Sequence, residues 1–384
     1  MSRGVAQVAS ALAWGARGRW FKSSRPDHFL LTLCIDIRLG GIFVKKILVT
    51  GATGHLGNVL CKTLLERGFK VKALIEPRTS ILPLEGLETE KVFRDIREDL
   101  EDLAADVDVI VHLASVISIT PKNKKLVYSV NIDGTKNILN QARFRGCPIV
   151  YASSVHVFVD KAPGSEYSED DEINEEKVHG HYAKSKAIAT KVVLDAFKQG
   201  LDGFVFFPTG IYGPFDYRLS YFSRVLINFK SGKLRYTVPG SFDFVDVRDC
   251  ANAVVDLLEL FFSGKINRDS FIISGRMVDF SKLPVLCGSK SFKVLSWSAA
   301  EIVSYGGLIL NALGIESEFV PYAVHNLRMA YRYSRAKLES FVNYTPRMIQ
   351  ESIDDFFKWL ESRNLARNEL KNFERNTTPQ GLIK

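Results

Sequence analysis

The chain predicts an α/β fold, a doubly wound parallel sheet with a smaller C-terminal substrate-binding lobe. Three observations carry that reading. A strand-like run, Lys46-Ile47-Leu48-Val49-Thr50, feeds glycines at 51, 54 and 57 and then an apolar-periodic segment, the order of strand, tight turn and helix start. Strand-like and helix-like segments then alternate as far as Pro208. One of them, Val107 to Ser115, is nearly all apolar, as a parallel strand buried on both faces requires.

Each element follows from local chemistry. Gly51 lets the chain turn sharply, Gly54 removes a Cβ where a pyrophosphate must approach, and Gly57 lets the helix lie close to the strand. The helix from about His55 to Arg67 aims its free N–H groups and positive dipole end at the phosphates. Arg67-Gly68 stops it, and Phe69 to Ile75 alternates as a second strand ending at Glu76, an acid placed to bind the adenosine ribose hydroxyls and repel a 2′-phosphate. The cofactor is thus NAD or NADP with a lean to NAD, Arg78 being the residue that could answer a phosphate.

A third strand spans Leu87 to Phe93, and Asp95 after it either accepts from an adenine amino group or caps a helix through Leu103. His112 in the fourth strand reads as a core residue, and the small residues at that strand's end leave room for a ribose. Asn131 begins a helix and can tie down the neighbouring strand's backbone. Pro148 to Ser154 is the fifth strand, and right-handed crossovers place ligands at the strands' carboxyl ends. The acidic loop Glu166 to Glu176 reads as solvated surface, and the segment His179 to Lys186 opens a helix that runs to about Lys198. His179 and His181 lack a third ligand at sensible spacing, so no metal is expected.

Composition narrows the function classes. The net charge of +8 is uneven, since residues 1–46 carry eight basic and two acidic residues and the remainder is near neutral at +2. No basic stripe with interleaved aromatics follows, so no nucleic-acid partner is indicated. Five scattered cysteines without CxxC spacing fit a reducing compartment, and the expected location is cytoplasmic. Residues 1–43, Arg-rich and without an acid before Asp27, read as a transit-like segment, a disordered extension or a mis-assigned start ahead of Val44, so organelle targeting stays open. The apolar run Ile302 to Leu313 is too short to span a bilayer and reads as a buried or substrate-facing helix, membrane association being the alternative.

The chemistry rests on Tyr182 and Lys186, four apart on one helix face, and on Ser154 at a strand end. A phenol with its usual pKa near 10 transfers protons poorly at neutral pH, and a neighbouring ammonium is expected to bring it down. A serine hydroxyl can hold the substrate oxygen beside that phenol, and a nicotinamide exchanges the hydride.

These segments, TGATGHLG at 50–57, HLAS at 112–115, N-x-x-GT at 131–135, SS at 153–154, YAKSK at 182–186 and FPTGIYGP at 207–214, together resemble the extended short-chain dehydrogenase/reductase superfamily. The likeness spans roughly Val44 to Ser362, and within it the NAD-dependent epimerase/dehydratase group and its dihydroflavonol reductase-like branch are the most similar. The resemblance implies a Rossmann-type fold and a catalytic triad of Ser154, Tyr182 and Lys186, with Tyr182 as acid/base. Lys186 would also bind the nicotinamide ribose, and Asn131 would complete a proton relay or brace the site. Gly51, Gly54, His55, Leu56 and Gly57 would contact the pyrophosphate, with Thr53 among the cofactor-binding residues of that turn. Asp95 and Ile96 would meet the adenine, and Leu113, Ala114, Ser115, Pro208 and Thr209 would line the cofactor. Phe158 and Val159 depart from the usual Tyr and Gly at scaffold positions.

The expected division is an N-terminal extension (1–43), an NAD(P)-binding domain (44–275, with 210–240 contributing to the substrate lobe), a substrate-binding lobe (276–362) and a mobile tail (363–384). Val238 to Asp249 is expected to return the chain to the sheet, with a helix from Cys250 to Phe262 on its face. Sugar-nucleotide enzymes of the superfamily usually place an arginine where Phe242 stands here, and a phenyl ring cannot pair with a diphosphate. An uncharged, partly hydrophobic small molecule is therefore the expected substrate, unless Arg218, Arg224 or Arg235 serves instead. Aromatic residues of 276–345 (Phe280, Trp297, Tyr305, Phe319, Tyr322, Tyr331, Tyr333) would roof it or fill the core. The expected activity is a reversible NAD(P)-dependent interconversion of ketone and secondary alcohol. Its rivals are a nucleotide-sugar epimerase or dehydratase and a non-catalytic redox sensor. A homodimer is an open expectation.

Overall fold

In the computed structural model, which describes residues 44–117, 123–312 and 319–363, seven parallel strands form the central sheet. In chain order they are β1 (Lys46–Thr50), β2 (Lys70–Ile75), β3 (Thr89–Phe93), β4 (Val109–His112), β5 (Ile149–Ala152), β6 (Gly203–Pro208) and β7 (Asp269–Ile273). Their spatial order is β7-β6-β5-β4-β1-β2-β3. The chain thus begins mid-sheet, winds one way to β3, and resumes on the other side of β1 at β4. The reversal between β1 and β4 opens a crevice at their carboxyl ends, where ligands of such sheets bind.

Period-2 alternation fills both faces of the sheet. Ile47, Val49, Val109, Val111, Phe204 and Phe206 share one core with helices α1 (His55–Glu66) and α5 (Val247–Phe262). Leu48, Ile110, Ile149, Val205 and Phe207 share the other with α2 (Thr135–Arg145) and α3 (His181–Lys198). A strand covered on both sides has no polar face, and this is why the sequence reads there as apolar runs.

β7 was not among the strands expected. Its five residues are too short to show a period, and its place is fixed by pairing, Phe271 with Phe206 in parallel register. Ser241–Asp246, expected to rejoin the main sheet, instead forms the middle of a three-stranded sheet with Gly210–Tyr212 and Arg276–Asp279. Phe242 and Phe244 hold it there, Phe244 stacking on Phe222 with centroids 4.0 Å apart. Phe222 belongs to α4 (Tyr221–Lys230).

Other expectations are corrected. No helix runs from Asp95 to Leu103, because the Asp95 carboxylate accepts from the Arg97 backbone N–H (2.9 Å) and guanidinium and closes a local turn. The helix expected to begin at Asn131 begins at Lys124, widens into a π turn over Ser129–Gly134 and continues as α2. The acidic loop is partly built in: Glu166–Tyr167 pairs with Arg332–Tyr333, and Glu169 accepts from the Ile272 N–H of edge strand β7 (2.7 Å). Helix α6 (Trp297–Ala312), expected buried or substrate-facing, turns Ile302, Val303, Tyr305, Leu308, Ile309 and Leu310 to solvent. It is followed by α7 (Pro321–Met329) and α8 (Ile349–Ser362). The readings for residues 1–43 and for the tail beyond Arg363 lie outside the described residues.

Phe356 of α8 is fully buried and packs on Phe357 and Trp359. Phe356→Ala should cost about 3–5 kcal/mol, read as a lower urea midpoint at unchanged slope.

Candidate active site

The first turn after β1 is closed by Gly54 N–H donating to Gly51 O (2.9 Å), with Gly51 at φ +67°. A Cβ on Gly51 would stand 2.8 Å from Ala114 N, and one on Gly57 would stand 2.1 Å from Gly51 O. Only a chain without side chains at both positions lets β1, α1 and the end of β4 meet this closely. The first turn of α1 holds no acidic residue and Gly54 offers no side-chain cap, so the helix N-terminus keeps its donors free for an anion. Among the cofactor-binding candidates, Leu56 is buried and His55 Nε2 meets Pro214 O (2.9 Å). Thr53 Oγ1 accepts from Arg218 (3.1 Å), a contact not expected from the sequence, which ties the loop after β6 to this turn.

Glu76 follows β2 and pairs with Arg78 (2.8 Å). Arg218 also feels Glu76, so two guanidinium groups stand near that carboxylate. Asp95 and Ile96 are both buried after β3, and the Asp95 carboxyl is held below its usual range by the Arg97 hydrogen bond. Leu113 and Ala114 each donate their backbone N–H to Thr50 Oγ1 (3.1 Å). Pro208 ends β6, and Thr209 is buried beside Asp243.

His112 is settled as a structural residue. Thr135 donates its hydroxyl proton to Asn131 O, so His112 Nε2–H donates to Thr135 Oγ1 (3.0 Å) and Nδ1 accepts from Thr50 Oγ1 (2.7 Å). Burial pulls this imidazole down to about 3, which keeps it neutral. His179 and His181 diverge, the first approaching Asp160 (3.4 Å) and the second packing on Tyr128.

Tyr182 lies in the first turn of α3 and Lys186 one turn on, while Ser154 follows β5. The hydroxyls of Ser154 and Ser115 face the Tyr182 phenol. Ser115 Oγ is buried without a hydrogen bond of good geometry among the described residues. Such an orphaned polar atom fits a site whose partner arrives with a ligand. The expected lowering of the phenol pKa by Lys186 is corrected: burial raises it, and the two serine hydroxyls only oppose that rise. The Lys186 ammonium instead donates to Tyr151 Oη (2.8 Å) and Ala152 O (2.5 Å), and burial pulls it down to about 7. Tyr151 was missed because it reads as one more apolar residue of β5.

Asn131 spends its amide on bracing. Oδ1 accepts from Val116 N (2.8 Å), and Nδ2 donates to Val116 O (3.0 Å) and Ser185 Oγ (2.9 Å). The segment leaving β4 is thereby tied to α3. On the far side of Tyr182, His156 stacks on Phe242 (centroids 5.6 Å, 13°) and meets Tyr322 Oη through Nδ1 (3.2 Å). Its ring stands edge-on to Tyr182 at 6.3 Å. A cavity lined by His156, His179, Tyr322, Tyr331 and Tyr333 adjoins this stack. His156 had no sequence signal beyond its place two residues after Ser154.

The glycine cradle, the open helix end and the buried ammonium suit a dinucleotide with a pyrophosphate and a ribose. Residues 47–272 match the family model described as the NAD dependent epimerase/dehydratase family. Sterol demethylase protein B of Methylococcus capsulatus is 33% identical over 230 residues, covering 59% of this chain and 69% of that one. A provisionally named dihydroflavonol 4-reductase of Synechocystis sp. is 31% identical over 205 residues, 53% of this chain and 60% of that one. Among solved structures, the UDP-glucuronic acid 4-epimerase from Bacillus cereus in complex with NAD superposes with a TM-score of 0.65 at 20% identity, over 83% of this chain and 99% of that one. That likeness concerns the fold.

Gly57→Ala should abolish dinucleotide binding, measured by quenching of intrinsic fluorescence with NADH. The Lys186 shift gives a second expectation. Between about 7 and the ordinary 10.5 the unfolded chain holds a proton that the folded chain does not, so burial of this lysine costs less as pH rises. The melting temperature of the wild type should gain on that of Lys186→Met from about pH 7 upward. A pH-independent difference would contradict the lowered value.

Proposed function

We propose, for a chain that belongs to the NAD dependent epimerase/dehydratase family and is an NAD(P)-dependent oxidoreductase of the extended short-chain type, that it interconverts a ketone and a secondary alcohol. The substrate is an uncharged, partly hydrophobic small molecule, as for a dihydroflavonol reductase-like enzyme. One observation carries the substrate class: the position that would hold a diphosphate clamp is Phe242, buried and stacked on His156 beside Tyr182. Rings pay little desolvation to meet an apolar body, whereas a diphosphate needs paired charge.

The cofactor binds over the glycine turn, with NAD favoured by the placement of Glu76. When bound, its nicotinamide supplies or accepts the hydride. The chain's own residues do the rest. Ser154 Oγ holds the carbonyl oxygen, and the Tyr182 phenol, kept protonated at neutral pH by burial, gives that oxygen its proton during reduction. Lys186 leaves its hold on Tyr151 to donate to the nicotinamide ribose, and Asn131 keeps the β4 end and α3 at fixed spacing.

Tyr182→Phe should retain NADH affinity and lose turnover by about two to four orders of magnitude. Undiminished turnover would reject the mechanism. Because the phenol pKa is raised, kcat/KM for reduction should stay level through neutral pH and fall on the alkaline side, while oxidation should climb there. Incubation with NADH or NADPH and panels of ketones and nucleotide sugars decides the substrate class. Net oxidation of added cofactor with apolar ketones is expected, and epimerised or dehydrated sugars without net oxidation would favour the nucleotide-sugar reading. A strong NADPH preference would refute the role given to Glu76.

A further inference from the structure

Helix α6 is inside out. Its inward positions are Ala300 and Ser304, exposed by 0% and 1%, together with Gly307, whereas its outward positions are large and apolar. Ile302 is 73% exposed, Tyr305 62%, Ile309 63% and Val303 51%, with Leu308 and Leu310 also exposed. At 100° per residue these six side chains cover more than half of the helix circumference. A surface helix in water shows the opposite pattern. No charged residue occurs from Ile302 to Ala312, and Glu301 is drawn off by Arg328 of α7.

Two observations identify what meets this face. The segment that delivers the chain to α6 is a ribbon in which Lys293–Val294 pairs with Tyr236–Thr237. With the chain flanking it the ribbon carries Lys233, Arg235, Lys290 and Lys293, all exposed, and none in an ion pair among the described residues. Residues 229–242 and 284–300 contain no Asp or Glu. Tyr236 and Val294, 54% and 48% exposed, and Val285, 61% exposed, add apolar surface to this basic ribbon.

We infer that α6 and the adjoining basic ribbon form a docking surface for an anionic lipid bilayer, with the helix lying in the interface. Its 16 residues are too few to cross a membrane. Among the described residues no helix is long and apolar enough to do so. The apolar side chains enter the boundary between headgroups and acyl chains, and the cations meet anionic headgroups. A second copy of this chain would bring the same four cations against its partner's and gains nothing from them. The inference does not rest on the proposed chemistry.

The test is cosedimentation of the full chain with phosphatidylcholine vesicles and with vesicles containing about 30% phosphatidylglycerol, at low and high salt. Wild type should partition to the anionic vesicles about tenfold or more above the neutral ones, and less at high salt. Ile302→Glu/Ile309→Glu should lose about tenfold or more of that binding. Lys290→Glu/Lys293→Glu should fall to the neutral-vesicle level. Circular dichroism and melting temperature check that both variants fold, as substitutions at exposed positions should allow. Wild type left in the supernatant with every vesicle would overturn the inference. So would unchanged binding of the Ile302/Ile309 variant, or a wild-type dimer by light scattering that this variant turns into a monomer without any vesicle binding.

Discussion

A buried ammonium fixes the geometry of the candidate site. Lys186 is almost wholly enclosed, and its charge is met by one phenol oxygen and one main-chain carbonyl, both from β5. A cation so placed is costly unless its donors are used, so α3 cannot rotate or slide against β5 without stranding them. That fixes the phase of the helix, and the phase places Tyr182 one turn earlier, facing the Ser154 and Ser115 hydroxyls. The same enclosure pulls the lysine down and pushes the phenol up, so the Tyr182 phenol stays protonated at neutral pH.

Further polar ties surround this one. His112 links Thr50 of β1 to Thr135 of α2, and Thr50 in turn receives the N–H groups of Leu113 and Ala114. Asn131 ties Val116 to α3 through Ser185. The π turn at Ser129–Gly134 is the local cost of this arrangement, a widened coil that presents Asn131 inward where a regular helix would carry it past. Each tie ends at the crevice between β1 and β4, the place where the sheet reverses its winding.

The two sides of the crevice differ in character. Toward the first turn the chain offers backbone donors and Arg218, suited to charged groups. Toward the small sheet it offers Phe242, His156 and Tyr322, a neutral aromatic wall. Burial pulls His156 down to about 4, so this wall carries no charge at neutral pH. The contrast supports the proposed division between the cofactor's phosphates and an apolar substrate.

What the sequence determined by itself was whatever depends on neighbours along the chain. The glycine turn, the alternating core strands, a helix running to about Lys198 and the i, i+4 pairing of Tyr182 with Lys186 all follow from local sterics and period. Burial decided the rest. Nothing in the order of residues shows that Lys186 faces Tyr151, that Ser241–Asp246 leaves the main sheet, or that five residues at Asp269–Ile273 complete it. The apolar run of α6 reads as core in the sequence because composition gives hydrophobicity without direction. Only the packing of Ala300, Ser304 and Gly307 inward turned its large side chains to the outside.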